Sequence, residues 1–218
     1  LVATQTDAAG NISDPTTRPI SIDTLTPTGL TITAPVAGDN LINAAEAAST
    51  TLAGKAEAGA TVNITLGGTT VTATADASGN WQYPLSAADI AAMGQGAETI
   101  SVTQTDAAGN TSAPVTQAIS VDTIAPQNTT ISPVFAVGNG TVTGTVEPGS
   151  TVTVDLGDGT PRTATADAAG NWTYALTPSE LLAFKSTPTT VTVKATDAAG
   201  NTATDSETFT PALSLIHI

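Results

Sequence analysis

A six-residue string that occurs three times constrains the fold of this chain more than any other feature of its sequence. Thr-Asp-Ala-Ala-Gly-Asn fills residues 6–11, 105–110 and 196–201, with start-to-start spacings of 99 and 91 residues. A second marker, Asp-Thr-x-x-Pro, fills residues 23–27 and 122–126, again 99 residues apart. A period of roughly 95 residues is too long for a solenoid unit, which buries its core only against its neighbours. Each repeat is therefore predicted to be an independent domain.

The markers divide the chain into four segments. We expect residues 1–22 to be the C-terminal strands of a truncated repeat, and residues 23–121 and 122–211 to be two complete repeats. Residues 212–218 are interpreted as a non-native tail, because most of this segment equals the translation of a commonly used transposon-end sequencing adapter. The single histidine, His217, falls in this tail and is given no functional role.

Within each repeat, apolar residues recur at every second position. This period is typical of half-buried antiparallel strands, and clusters of Gly, Asn, Asp and Pro separate the runs as they do in a sandwich. One short helix is expected in each repeat, because Ser86 with Asp89 and Thr177 with Glu180 have the spacing of capping boxes. The predicted fold class is all-β, with antiparallel β-sandwich domains that each contain one short helical connection. The predicted core positions include Val62, Ile64, Leu66 and Trp81 in one repeat and Val152, Val154, Leu156 and Trp172 in the next.

The charge and the missing residue types exclude several classes of function. Five Lys and Arg against 19 Asp and Glu give a net charge of −14, so the chain repels phosphate backbones and anionic lipid. The lack of Cys and the one His in the tail exclude thiolate chemistry and Ser-His-Asp catalysis. No apolar run approaches the roughly 18 residues of a membrane span. We therefore expect no enzymatic activity, no nucleic-acid partner and no membrane insertion.

Strand parity, meaning the alternating direction of successive antiparallel strands, places the acidic loops of each repeat at one end of its sandwich. If the strand before Glu57 runs towards that end, the alternation of antiparallel strands brings Asp76 and Asp106 back to it. The first strand must start at the same end, so the incoming linker with Asp23 arrives there as well. The same reasoning applies to the next repeat. The two predicted metal-ligand clusters are Asp23, Glu57, Asp76 and Asp106, and Asp122, Glu147, Asp167 and Asp197.

Carboxylates gathered in this way repel one another, and a divalent cation removes the repulsion. Calcium is the expected ion, because it takes about six to eight hard oxygen ligands in irregular geometry, whereas transition metals favour nitrogen or sulfur ligands. The alternative is that Asp-x-x-Gly-Asn is local turn chemistry, in which Asp binds its own backbone. A further acidic stretch, residues 39–46, lies at the opposite end of the first full repeat and has no counterpart in the second. Whether that stretch holds a second metal ion is left open.

Three stretches carry a resemblance to a known family. TDAAGNTS at 105–112, VDTIAP at 121–126 and AEAGATVNITLGGTTVTATADASGNW at 56–81 look like the tandem bacterial Ig-like repeats of large type I-secreted surface adhesins, of the RTX or biofilm-associated type. The resemblance implies tandem Ig-like β-sandwich domains that act as an extender at the bacterial cell surface, outside the cell, with calcium at the interdomain linkers. It also implies neighbouring repeats as partners and an adhesive target bound elsewhere in the full-length protein. Two other hypotheses stay open: a module that binds glycan or host protein, and an accessory domain of a secreted glycoside hydrolase.

Overall fold

Two β-sandwiches follow one another in the computed structural model, which describes residues 1–136, 139–186 and 188–210. The predicted tail at residues 212–218 lies outside these ranges. None of the helices in the described ranges has the length and apolarity that crossing a membrane requires. The all-β fold class with short helical connections is confirmed.

The first sandwich follows a two-stranded antiparallel ribbon at the N-terminus, formed by β1 (Val2–Ala3) and β2 (Thr16–Thr17). Its strands are β3 (Thr31–Ile32), β4 (Leu41–Asn43), β5 (Thr51–Lys55), β6 (Thr61–Leu66), β7 (Thr69–Thr74), β8 (Asn80–Pro84), β9 (Gly96–Thr105) and β10 (Val115–Asp122). One sheet has the order β4-β10-β9-β6-β7 and the other the order β3-β5-β8. All neighbours are antiparallel except β4 and β10, which run parallel, with Asn43 paired to Asp122.

The second sandwich repeats this plan within the described residues. Its strands are β11 (Ser132–Ala136), β12 (Asn139–Thr145), β13 (Thr151–Asp155), β14 (Pro161–Thr165), β15 (Asn171–Ala175), β16 (Thr189–Thr196) and β17 (Thr202–Phe209). One sheet has the order β14-β13-β16-β17 and the other the order β11-β12-β15, and all described neighbours are antiparallel. In the described residues, no strand pairs with β17 in the way that β4 pairs with β10.

Both predicted helices are present and begin with the predicted capping boxes. Helix α1 (Ala87–Met93) starts after Ser86, whose hydroxyl accepts the Asp89 N–H at 3.2 Å while the Asp89 carboxylate accepts the Ser86 N–H at 2.8 Å. Helix α2 (Pro178–Ser186) starts after Thr177, which exchanges the same two bonds with Glu180 at 3.4 and 2.8 Å. A short 3-10 turn (Val36–Gly38) precedes β4.

A buried tryptophan organises each core. Trp81 is 2% exposed and Trp172 is 1% exposed, so their predicted core positions are confirmed. Each indole ring lies against a glycine of the neighbouring strand. A Cβ atom on Gly54 would lie 2.0 Å from the Thr31 carbonyl oxygen and 2.8 Å from the Trp81 ring, and Gly144 is confined in the same way by Thr130 and Trp172. The other predicted core positions are also buried: Val62, Ile64, Leu66, Val152, Val154 and Leu156.

Candidate functional site at the joint between repeats

Each Asp-x-x-Gly-Asn turn is closed by its own aspartate. Asp106 Oδ1 accepts the backbone N–H groups of Ala108 and Asn110, both at 2.9 Å, and Oδ2 accepts the Asn110 side-chain amide at 2.9 Å. The Asn110 amide is the main reason that the pKa of the Asp106 carboxyl lies below its ordinary value. This is the turn chemistry that the Asp-x-x-Gly-Asn pattern favours. The aspartates that close their turns in the same way are Asp7, Asp76, Asp167 and Asp197.

The acidic loops and the incoming linker of the first sandwich lie at one end of it. The Ala56 N–H donates to the Gly79 carbonyl at 2.9 Å, which joins the loop at Glu57 to the turn at Asp76. The buried Gln104 accepts the Glu57 N–H at 2.7 Å and donates to the Thr28 carbonyl at 3.0 Å. The linker is thereby tied to the same end of the domain.

Although these loops lie at the same end of the domain, their carboxylates do not form a cluster. In residues 1–136, 139–186 and 188–210, no three His, Asp or Glu side chains lie close enough together to hold a metal ion. Asp23 accepts the Leu25 N–H at 3.0 Å, so its carboxylate also serves the local backbone. The calcium ligands therefore remain a prediction.

At the joint between the two sandwiches, the linker aspartate is bound by the turn of the following domain. The Asn201 side-chain amide donates to the Asp122 carbonyl at 2.9 Å and to Asp122 Oδ1 at 3.3 Å. Asp122 and Glu147 also line one cavity of about 360 Å³. These are hard oxygen donors, which fit the ligand preference of calcium. At the preceding joint, the Asn110 amide donates to the Asp23 carbonyl at 3.3 Å in the equivalent way.

Sequence reasoning missed the amide residues of the joint. The Asn that ends each repeated string could have been noticed, because it recurs together with the linker Asp. Gln95 gave no such signal: its side chain accepts the Thr123 N–H at 2.9 Å and donates to the Thr123 hydroxyl at 2.8 Å. The linker between the domains is thus held by the domain before it as well as by the domain after it.

The acidic stretch at residues 39–46 uses its carboxylates locally. Asp39 accepts the Leu41 N–H at 2.9 Å, and Glu46 accepts the Asn43 N–H at 3.2 Å. Because β4 runs parallel to β10, this stretch lies beside the outgoing linker, at the end of the first sandwich opposite its own acidic loops.

The chain is similar to several solved structures from bacterial adhesins. A chain of a Ca²⁺-stabilized adhesin, with which an Antarctic bacterium reaches out and binds ice, is 33% identical, with a TM-score of 0.51 over 96% of this chain and 55% of that one. A chain of a 1.5-MDa bacterial ice-binding adhesin is 26% identical, with a TM-score of 0.48 over 85% of this chain and 65% of that one. An immunoglobulin-like domain of the M. primoryensis ice-binding adhesin is 35% identical, with a TM-score of 0.28 over 44% of this chain and 94% of that domain.

The chain spans less than two thirds of the length of the first two of these structures. No curated protein sequence matches it. The family model described as bacterial Ig domain matches the chain twice, at residues 34–120 and 125–212. These two matches cover most of the sequence, and the chain belongs to the bacterial Ig domain family.

Proposed function

We propose that the chain is a stretch of extender repeats from a bacterial surface adhesin, which holds a distal binding region away from the cell. The observation that carries this proposal is the repeated joint. The carbonyl of the linker aspartate is bound by the terminal Asn of the following domain's turn at both Asp23 and Asp122. Repeats that use the same contact at successive joints are connected end to end in the same way and add length with each copy.

The position of the aromatic residues also supports a spacer. A module that binds glycan needs aromatic or convergent polar groups at its surface. Trp81 and Trp172 are instead buried against Gly54 and Gly144. The partners of this part of the protein are then neighbouring repeats of the same chain, outside the cell, with the adhesive target bound elsewhere. A type I secretion route fits this location.

We propose in addition that calcium stiffens the joints. Asp122 and Glu147 would hold the ion at the second joint, with Asp167 and Asp197 in turns at the same end of the domain. Asp23, Glu57, Asp76 and Asp106 are the equivalent residues at the first joint. The similarity to a Ca²⁺-stabilized adhesin supports this assignment. A bound cation supplies charge neutralisation between a linker carboxylate and the next domain, which ties the two bodies together.

Calorimetric titration with calcium, paired with small-angle scattering, tests the proposal. We expect binding with a dissociation constant of about 0.1–1 mM, which is usual for extracellular sites, and a narrower range of interdomain angles when calcium is present. Asp122→Ala should remove the site at the second joint. The control is Asp155→Ala, which also removes one charge and the bonds that its carboxylate accepts from the Gly157 and Gly159 N–H groups, but lies on β13, away from the linker. Absence of binding heat, together with scattering that does not respond to calcium, would contradict the calcium proposal.

A further inference from the structure

A loop of the first sandwich contacts the second sandwich directly. The Ala44 N–H donates to Asn201 Oδ1 at 2.8 Å, and the Asn43 side-chain amide donates to the Ala199 carbonyl at 3.1 Å. Since the Asn201 amide also donates to the Asp122 carbonyl, one side chain of the second domain binds two separate segments of the first. The joint therefore has a hydrogen-bonded contact in addition to the linker.

The contact changes the burial of the turn that it covers. Ala199 is 8% exposed and Asn201 is 5% exposed. The equivalent residues of the first domain's turn are more accessible, with Ala108 exposed and Asn110 half-buried. Both turns have the same internal hydrogen bonds. The difference in burial thus comes from the loop that packs on the second turn.

The loop is held in its binding shape by its own side chains. Asn43 Oδ1 accepts the N–H groups of Ala45 and Glu46 at 2.9 and 3.0 Å, and the Glu46 carboxylate accepts the Asn43 N–H at 3.2 Å. The pairing of Asn43 with Asp122 fixes the loop beside the linker. A loop that is ordered before contact loses little conformational entropy when it binds.

We propose that residues 43–46 form a docking loop that recognises the Asp-Ala-Ala-Gly-Asn turn of the following repeat and fixes the joint in one orientation without a metal ion. This role rests on the proposed extender function but does not depend on calcium. Gln95 supports it by holding Thr123 of the linker through two hydrogen bonds. The partner is chemically defined: a carbonyl and an Asn side-chain oxygen, presented by a turn whose aspartate is already satisfied.

The proposal distinguishes two kinds of repeat. The first repeat carries the docking loop, whereas the matching stretch of the second, around Val137, is shorter and lacks an Asn-Ala-Ala-Glu sequence. Repeats of the first kind would form a docked joint with whatever repeat follows them. Repeats of the second kind would be connected to the next by the linker contact alone. The order of long and short repeats would then set where a tandem array bends.

Hydrogen exchange at the Ala44 amide, measured in chelator, tests the docking loop. Asn201→Ala removes the acceptor of this amide, and we expect Ala44 to exchange about fivefold faster, as the loss of one hydrogen bond predicts. The control is Asn110→Ala, which loses the equivalent bonds to its own turn and to its linker but none to a docking loop. It should leave exchange at Ala44 unchanged. Equal rates in the parent chain and Asn201→Ala, or equal acceleration by both substitutions, would overturn the proposal.

Scattering in chelator supplies an independent measurement that separates docking from calcium binding. Asn43→Ala removes the bond to Ala199 and the two bonds that shape the docking loop, but it leaves the turn of the second domain intact. It should broaden the interdomain angles, as should Asn201→Ala, which also loses the linker contact. If calcium fails to bind, these two variants still differ from the parent chain. If docking is wrong, Asn43→Ala scatters like the parent chain in chelator, whatever calcium does, because it leaves the linker contact of Asn201 in place.

Discussion

Replacing Gly54 by Ala tests how the first strand of each sandwich is attached. The added Cβ would lie 2.0 Å from the Thr31 carbonyl oxygen and 2.8 Å from the Trp81 ring. Neither neighbour can move away easily, because one is a backbone atom and the other belongs to a buried ring. Overpacking of this kind costs about 1–3 kcal/mol. Displacing β3 also weakens the 3.2 Å hydrogen bond from the Trp81 indole to the Thr31 carbonyl. The weakened bond adds about 1 kcal/mol to the destabilisation. We expect Gly54→Ala to destabilise the first domain by about 3 kcal/mol.

The two domains can be followed separately by thermal unfolding, because each contains one tryptophan whose indole N–H signal reports on its own core. The transition that Trp81 reports should fall by at least about 10 °C, while the transition that Trp172 reports stays in place. Gly144→Ala should produce the reverse pattern, since its Cβ would lie 1.9 Å from the Thr130 carbonyl oxygen. A shift of less than about 2 °C for both variants would refute the idea that these glycines are required by the close approach of strand and ring.

Three further outcomes follow from the side-chain contacts. Ser86→Ala removes the capping box of α1 and should lower the stability of the first domain by about 1 kcal/mol, measured by denaturant unfolding; an unchanged midpoint would mean that the cap is not needed. The pKa of Asp106 lies below its ordinary value of 3.8 because of the bond from the Asn110 side chain, so the carboxylate stabilises the fold above that pH and the stabilisation is lost as pH falls through the lower, folded-state pKa. A melting temperature of the first domain that stays constant between about pH 5 and about pH 2 would contradict this. Arg162→Val introduces the residue that the first domain carries at the equivalent position, Val71, and leaves the half-buried carboxylate of Glu180 without its ion pair. The free energy of unfolding of the second domain alone should therefore fall by about 2 kcal/mol. Equal melting temperatures before and after the change would show that the ion pair contributes nothing to stability.

The fold could be predicted from the sequence because its signals are local. The alternation of apolar residues at Val62, Ile64 and Leu66 indicates a strand without reference to the rest of the chain. The capping pair Ser86 and Asp89, three positions apart, indicates the start of a helix in the same way. Strand parity then gave the end of the sandwich at which the acidic loops lie. Each of these inferences needs only neighbouring residues and the antiparallel rule.

The details of the joint could not be predicted in this way. Strand parity places Asp106 at an end of the domain but does not say where its carboxylate points, and the structure turns it onto its own backbone. The contact between Asn43 and Ala199 joins residues 156 positions apart and depends on the angle between two separately folded bodies. The sequence of either domain alone carries no signal for that angle.

The position of β10 between β9 and β4 determines how the first domain responds to tension. A pull transmitted through the linker reaches Asp122 and acts along β10, whereas the hydrogen bonds to β9 run nearly perpendicular to the strand. Seven residue pairs with β9 and three with β4 are then sheared together and do not open one after another. Survival under force is governed by the rate of unfolding, so an arrangement that loads many bonds at once suits a domain that is pulled through its linker.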